Sequence, residues 1–471
     1  MLVASAAMRS AEVVVVGAGI GGIAAAHELA VERGVREVVV VDDQPPLTVT
    51  SDKSTECYRD WWPQPSMAAL MGRSIARLEA LAEATGNAFA MNRNGYAYLT
   101  GTGEGAAALA AAAASTAALG SGPLRVHRGR PDDPPWPETP WERLDPALRG
   151  ADLTLEPAVV RARHPFLAAD VRALLHARRC GWVSAQQLGM VLLERAGEAG
   201  VRLLPGRVVE VERDPAGVAA VRVATTESRG GEPTRIATRR VVLAPGPGLP
   251  HLSTLLGLEL PVLCELHAKV TFDDALGVLP RHLPLLIWND PVRLEWSAEE
   301  RRELAADPAL SFLLGPLPPA VHFRPEGGEG SRKLLLLWAF DAGPVPPPGQ
   351  PADPPTFAPW LAEVVVRGVA RMVPAFAVYL ERMRRPFVDG GYYTKVPDNR
   401  PVIGPTEVPG LSLLAALSGY GIMAAMGAAE LLADALDGNA PPWARDLAPA
   451  RFADAGYREQ LAASAAGAGQ L

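Results

Sequence analysis

Gly17, Gly19 and Gly22 stand in the spacing G-x-G-x-x-G. Glycines at this spacing bind a pyrophosphate. The first allows a tight turn, the second admits phosphates to the backbone, and the third lets a helix pack closely on a strand. Asp42 lies 20 residues after Gly22, where a carboxylate accepts from ribose hydroxyls. Asp43 competes for that role, and either acid can instead cap a strand end. The fingerprint by itself does not separate a nicotinamide dinucleotide from a flavin dinucleotide.

The chain supplies the elements needed to position these residues. A β-branched run at 12–16 predicts a strand, 23–33 a helix stopped by Gly34, and 37–41 a second buried strand ending at Asp42. Further along, Ile75, Leu78 and Leu81 predict a helix over 73–84, with a strand at 96–99 and an Ala-rich helix at 106–118. Residues 130–140 hold five prolines and read as a loop. Ser184 with Gln187 forms a capping box for a helix reaching about residue 200. Strands follow at 201–204, 207–211, 218–224 and 238–243, the last running into the turn Ala244-Pro245-Gly246-Pro247-Gly248. Residues 344–359 read as a surface excursion, 360–373 as a helix, and the last thirty residues as a fraying tail. The uncharged run 411–429 is long enough to cross a bilayer. Gly419-Tyr420-Gly421 breaks it into a strand at 411–417 and a helix.

Composition narrows the possible functions. The 471 residues carry a net charge of −7, with 48% hydrophobic and 21% charged residues. That composition excludes a wholly disordered chain and argues against a nucleic-acid partner. The three cysteines, Cys57, Cys180 and Cys264, form no CxxC pair, so neither a metal site nor a disulfide framework is expected. A cytoplasmic, reducing compartment is the expectation, because residues 13–16 are too short for a secretory core.

The C-terminal stretch Gly391-Tyr392-Tyr393-Thr394-Lys395-Val396-Pro397-Asp398-Asn399-Arg400-Pro401-Val402-Ile403-Gly404-Pro405 resembles the closing motif of the D-amino acid oxidase-like flavoproteins. That superfamily includes sarcosine oxidase, glycine oxidase and dimethylglycine dehydrogenase. Leu417-Ser418-Gly419-Tyr420-Gly421-Ile422-Met423 resembles its final strand-loop-helix, and residues 51–59 resemble the loop that passes beside the flavin. The resemblance runs from residue 11 to 437 and implies FAD. Its cofactor residues here would be Gly17, Gly19, Ile20, Gly22, Asp42, Asp43, Ser54, Thr55, Val209, Ala244, Gly246, Gly419, Tyr420, Gly421, Ile422 and Met423. Val208 and Val209 resemble the family's backbone contact to adenine. The helix near Gly421 would turn its positive end toward the reduced ring. The resemblance implies an α/β fold: a Rossmann-type FAD-binding domain (11–85, 179–262, 389–440) interleaved with an α+β substrate domain (86–178, 263–388). The substrate domain would carry a mixed or antiparallel sheet, and residues 441–471 would form a C-terminal tail. Covalent flavin attachment in the family uses a cysteine before the closing motif or a histidine in the early loop. Neither is present here, so a non-covalent flavin is expected, with Cys57 as the nearest nucleophile.

The resemblance also implies an activity: oxidation of a C–N bond in a small amine or amino acid by hydride transfer to flavin N5. Arg59 falls where the family holds a substrate carboxylate, and a planar guanidinium suits that task. A surface arginine paired with Asp60 or Glu56 is the alternative. Tyr393 and Lys395 in the closing motif, and His267 and Lys269 on an apparent strand at 263–272, are further polar candidates. Trp61, Trp62, Tyr392 and Tyr393 would suit an alkylammonium as an aromatic cage. Ile422-Met423 stands where sarcosine oxidase-like enzymes carry a basic residue, which permits a larger or less acidic amine. A monooxygenase-type flavoprotein and a flavoprotein subunit of a larger assembly are the alternative functions.

Overall fold

In the computed structural model, residues 9–138, 144–145, 147–225, 232–328, 330–340, 344–345, 355–382 and 386–464 are described. Two large sheets carry the architecture. The first has eight strands, in the order Thr234–Ala237, Gly217–Thr225, Arg202–Asp214, Val38–Asp42, Val13–Val16, Val241–Leu243, Leu411–Ala415 and Val402–Pro405. Its five central strands are parallel to one another. Val13–Val16 is four buried valines, the composition of a strand covered on both faces. Helices Ile20–His27, Pro65–Ala84, Ala185–Glu198 and Gly421–Leu436 contribute to the apolar layer on one face.

The second sheet is mixed. In order it contains Pro344–Val345, Leu263–Asp273, Lys333–Leu337, His322–Glu326, Leu285–Trp288, Tyr96–Thr100, Ala173–Ala177, Ala151–Thr154 and Leu124–His127. Phe387–Lys395 also pairs with Leu263–Asp273. Period-two alternation gives this sheet two unlike faces. Leu99, Val270, Phe272, Leu286, Trp288, Phe323, Leu334 and Leu336 share an apolar cluster with helix Leu361–Met372. The alternate positions include Glu265, His267, Lys269, His322 and Arg324.

Several sequence-based bounds shift, each for a local reason. The helix expected over 73–84 begins at Pro65, a residue preset for the first helical turn. The first helix starts at Ile20, before the expected residue 23, and its last turn widens over Glu28–Glu32. The strands expected at 201–204 and 207–211 are one strand, Arg202–Asp214, whose pairing with Gly217–Thr225 shifts register twice. Phe387–Lys395 lies in the second sheet, so the stretch expected to begin at 389 joins the first sheet only at Val402.

The uncharged run divides into Leu411–Ala415 and Gly421–Leu436, and no described helix is long and apolar enough to cross a membrane. The tail expected to fray is anchored. Phe452 is buried, Arg451 Nε donates to Asp398 at 2.9 Å, and Tyr457 donates to the same carboxylate at 2.5 Å. Most of the expected excursion at 344–359, and residues 465–471, lie outside the described residues.

Candidate functional site

A cleft of about 320 Å³ opens at the carboxyl ends of Val13–Val16, Val38–Asp42, Val241–Leu243 and Leu411–Ala415, where open parallel sheets bind ligands. Its floor is a glycine turn. Gly17 has φ +109, and a Cβ there would meet the Ala244 carbonyl oxygen at 2.2 Å. A Cβ on Gly22 would meet the Gly17 carbonyl oxygen at 1.9 Å, so helix and turn touch backbone to backbone. Helix Ile20–His27 has no side-chain cap from Gly19, and its Ile20 N–H donates to Ser51 Oγ at 3.0 Å. Leu47, Ala416 and Ser418 line the cleft with φ of 67°, 52° and 50°. Left-handed backbone on non-glycine residues stores strain, and three of the eight such positions among the described residues lie here.

Asp42 and Asp43 both line the cleft. Asp42 Oδ2 accepts from Ala18 N at 2.6 Å and Oδ1 from Gln44 N at 2.8 Å, so the carboxylate ties the strand end to the glycine turn. Burial raises its pKa. Asp43 accepts from Arg207 Nε at 2.5 Å.

Of the other expected cofactor residues, Gly17, Gly19, Ile20, Ser54, Ala244, Gly246, Gly419, Gly421 and Ile422 line this cleft. Gly22, Thr55, Tyr420 and Met423 lie behind its wall, outside the lining. Val209 is exposed and outside the lining, whereas Val208 is buried and lines it. The alternation of Arg202–Asp214 turns one valine of the pair inward and the other to solvent. Sequence reasoning placed Ser51 in the flavin loop but not among the cofactor residues, and missed Thr50 and Arg207. The Ser/Thr-rich loop was legible, but its register against the helix was not.

Of the substrate-side candidates, Tyr393 lines the cleft, together with Tyr392. His267 stacks on Tyr393 with ring centroids 4.2 Å apart, and its Nε2 lies 3.0 Å from Glu265 Oε2. Lys395 pairs with the same carboxylate. Burial lowers the pKa of both His267 and Lys395, while the Tyr393 hydroxyl is pushed up to about 12. Trp61 and Trp62 are buried outside the lining, so the four aromatics do not form one cage around it.

Arg59 is buried rather than on the surface, and like His267 and Lys395 it lies outside the cleft lining. Strand Cys57–Arg59 pairs with Cys180–Trp182. The guanidinium lies 4.2 Å over the Trp62 ring and donates to the Tyr98 hydroxyl at 3.0 Å. Its expected surface partners are otherwise engaged: Glu56 pairs with Arg324 and Asp60 faces Arg179.

Both Asp60 carboxylate oxygens are buried without a hydrogen-bond partner among the described residues, and Arg179 Nη1 is 3.8 Å away. Burial pushes the Asp60 pKa to about 7, against about 4 unfolded. A raised folded pKa contributes stability that is present below pH 4 and lost as pH rises toward 7. Asp60→Asn, which mimics the protonated acid, is expected to match wild type near pH 4. At pH 8 it should be more stable by about 2–4 kcal/mol. Urea denaturation at the two pH values checks this, and equal stability at both would refute it.

Sheet order, glycine turn and cleft together define a dinucleotide-binding α/β protein. The chain belongs to the DAO family of FAD-dependent oxidoreductases, which matches residues 12–435, and FAD is its cofactor. L-proline dehydrogenase from P. horikoshii shares the fold with a TM-score of 0.68 and 19% identity, over 95% of this chain and 98% of that one. Glycine oxidase from Bacillus cereus gives 0.66 and 15%, over 93% and 98%. L-α-glycerophosphate oxidase from Mycoplasma pneumoniae, whose structure holds FAD, gives 0.64 and 12%, over 91% and 95%. A search of curated protein sequences found no match.

Proposed function

We propose that the protein oxidises a C–N bond in a small amine or amino acid. FAD, when bound, supplies the hydride acceptor at N5. The observation that carries this reading is the cleft walled by Tyr392 and Tyr393, with the Arg59 guanidinium connected to its Gly421 end through Trp62 and Tyr420. A planar guanidinium suits two-pronged binding of a substrate carboxylate. Two of the similar structures are, by name, a proline dehydrogenase and a glycine oxidase.

The residues present fit the cofactor. Gly17, Gly19 and the start of helix Ile20–His27 would hold the pyrophosphate, beside the Ser51 hydroxyl that the Ile20 N–H already bonds, because a Cβ at Gly17 would collide with backbone. Asp42 and Val208 would face the adenosine half. Gly419, Gly421 and Tyr393 would face the ring. The start of helix Gly421–Leu436 has no side-chain cap and would stabilise negative charge there. Within the reaction, Arg59 would orient the substrate by its carboxylate, and the apolar and aromatic surroundings would exclude water.

The test is an anaerobic screen of the yellow holoenzyme for bleaching. Bleaching by an amine or amino acid supports the proposal. Bleaching only by hydroxy acids or glycerol phosphate overturns it and moves the activity toward that of the glycerophosphate oxidase.

The flavin is proposed to be non-covalent. Cys57 is buried outside the cleft lining, its thiol lies 3.2 Å from the Thr55 carbonyl oxygen, and burial raises its pKa. A protonated thiol outside the cleft lining is a poor nucleophile toward a flavin bound there. Acid precipitation is expected to leave a colourless pellet. Yellow protein would point to a covalent bond.

A further inference from the structure

The segment Leu47–Glu56 passes along the cleft, with Leu47, Thr48, Val49, Thr50, Ser51 and Ser54 in its wall. Its contacts with the glycine turn are few. Leu47 N–H donates to the Ala18 carbonyl, and Ser51 Oγ accepts from Ile20 N–H. Glu56 sits in left-handed backbone at φ 61°. A loop holding such a conformation needs support from outside itself.

Part of that support comes from Gln186, which donates to Asp52 Oδ1 at 2.9 Å, and from the Val183 N–H, which donates to the Glu56 carbonyl at 3.0 Å; the carbonyls of the turn itself are held by the polar face of the second sheet. On strand Leu263–Asp273 the apolar side takes Cys264, Val270 and Phe272, and alternation places Lys269 on the opposite side. Lys269 Nζ donates to the Asp52 carbonyl at 3.2 Å and to the Ser54 carbonyl at 3.3 Å. From strand His322–Glu326, Arg324 is fully buried and donates through Nε to the Thr55 carbonyl at 2.9 Å and through Nη2 to Glu56 Oε2 at 3.1 Å. The carbonyls of Asp52, Ser54 and Thr55 therefore point at cations on the sheet. The Ser51 hydroxyl stays at the helix start that faces the cleft.

We infer that Lys269 is a positioning residue for FAD: it fixes the Asp52–Ser54 turn by its two carbonyls, and so sets the wall against which the cofactor seats. Arg324 does the same one step along the chain. The inference rests on the FAD dependence of the family and not on the identity of the substrate. An ammonium has three donors, and two of them are used here on one turn. Methionine at this position keeps the stem and removes both bonds. Glutamine keeps one donor group.

The experiment measures FAD release from the holoenzyme by the rise in free-flavin fluorescence, with visible circular dichroism of the bound flavin and hydrogen exchange of residues 48–58. Lys269→Met is expected to release FAD about tenfold faster, to change the visible dichroism, and to speed exchange in 48–58 without a matching change in the first sheet. Lys269→Gln should fall between it and wild type. Lys333→Met, at the exposed first position of its strand, should behave as wild type. Release and dichroism in Lys269→Met within twofold of wild type would overturn the inference. So would accelerated exchange throughout the chain, because it would assign Lys269 to general stability. If Lys269→Met does not fold, Lys269→Gln decides: unchanged release and unchanged exchange in 48–58 overturn the inference.

Discussion

Gly17→Ala is expected to yield protein that retains less than a tenth of the wild-type FAD. Two effects act together at this position. The backbone at φ +109 is unfavourable for any residue with a Cβ, and that Cβ would sit 2.2 Å from the Ala244 carbonyl oxygen. The clash is with backbone, so no rotamer change relieves it. Either the strand Val241–Leu243 or the turn must move, and Ala18 N–H would lose its bond to Asp42 in the process. A cost of about 3 kcal/mol or more follows from overpacking plus strain. Gly34→Ala is the control. It also has positive φ, at +71, but nothing lies within 4 Å of its Cβ. Strain alone should cost it about 1–2 kcal/mol and leave FAD in place. The ratio of flavin absorbance to protein absorbance in the purified variants measures both. Gly17→Ala with a full complement of FAD would refute the assignment of this turn to the cofactor.

The same turn shows what the sequence makes legible. Gly17, Gly22 and Asp42 do local work over 26 residues, so their spacing carries the structure with it. The two parallel strands, the helix between them and the closing Gly419–Gly421 turn were readable for that reason. The wall of the cleft was harder, because its contacts join distant segments. Ser51 meets Ile20, and Lys269 meets Asp52 and Ser54. No pattern within either partner fixes such a register. One signal was available: Glu265, His267 and Lys269 alternate with apolar residues on one strand, which places them on a common face. The exposure of Val209 shows the converse. Two adjacent valines are equivalent by composition, and only the pleat decides which one faces the cleft.

Arg59→Ala is expected to lower kcat/KM for an amino-acid substrate by about 2–4 kcal/mol, through loss of a charge-assisted contact and a carboxylate left buried without its partner. The location of Arg59 sharpens this expectation. Its guanidinium lies on Trp62, the Trp62 ring meets Tyr420 edge-on at 5.4 Å, and Tyr420 directly precedes Gly421 in the cleft wall. The cation is thus linked by two aromatic contacts to the end of the cleft assigned to the flavin ring. Burial also means that alanine leaves a hole, so stability will fall whatever the role of Arg59. Activity and stability must therefore be read separately. If Arg59 binds substrate, anaerobic flavin reduction in the folded holoenzyme slows or demands far more substrate. Arg59→Lys then recovers only part, because an ammonium lacks the two-pronged fork. If Arg59 only supports Trp62 and Tyr98, the melting temperature drops while the folded fraction reduces its flavin at the wild-type rate. A normal reduction rate in an Arg59→Ala protein of normal FAD content would remove Arg59 from substrate recognition and, with it, the main support for an acidic amine substrate.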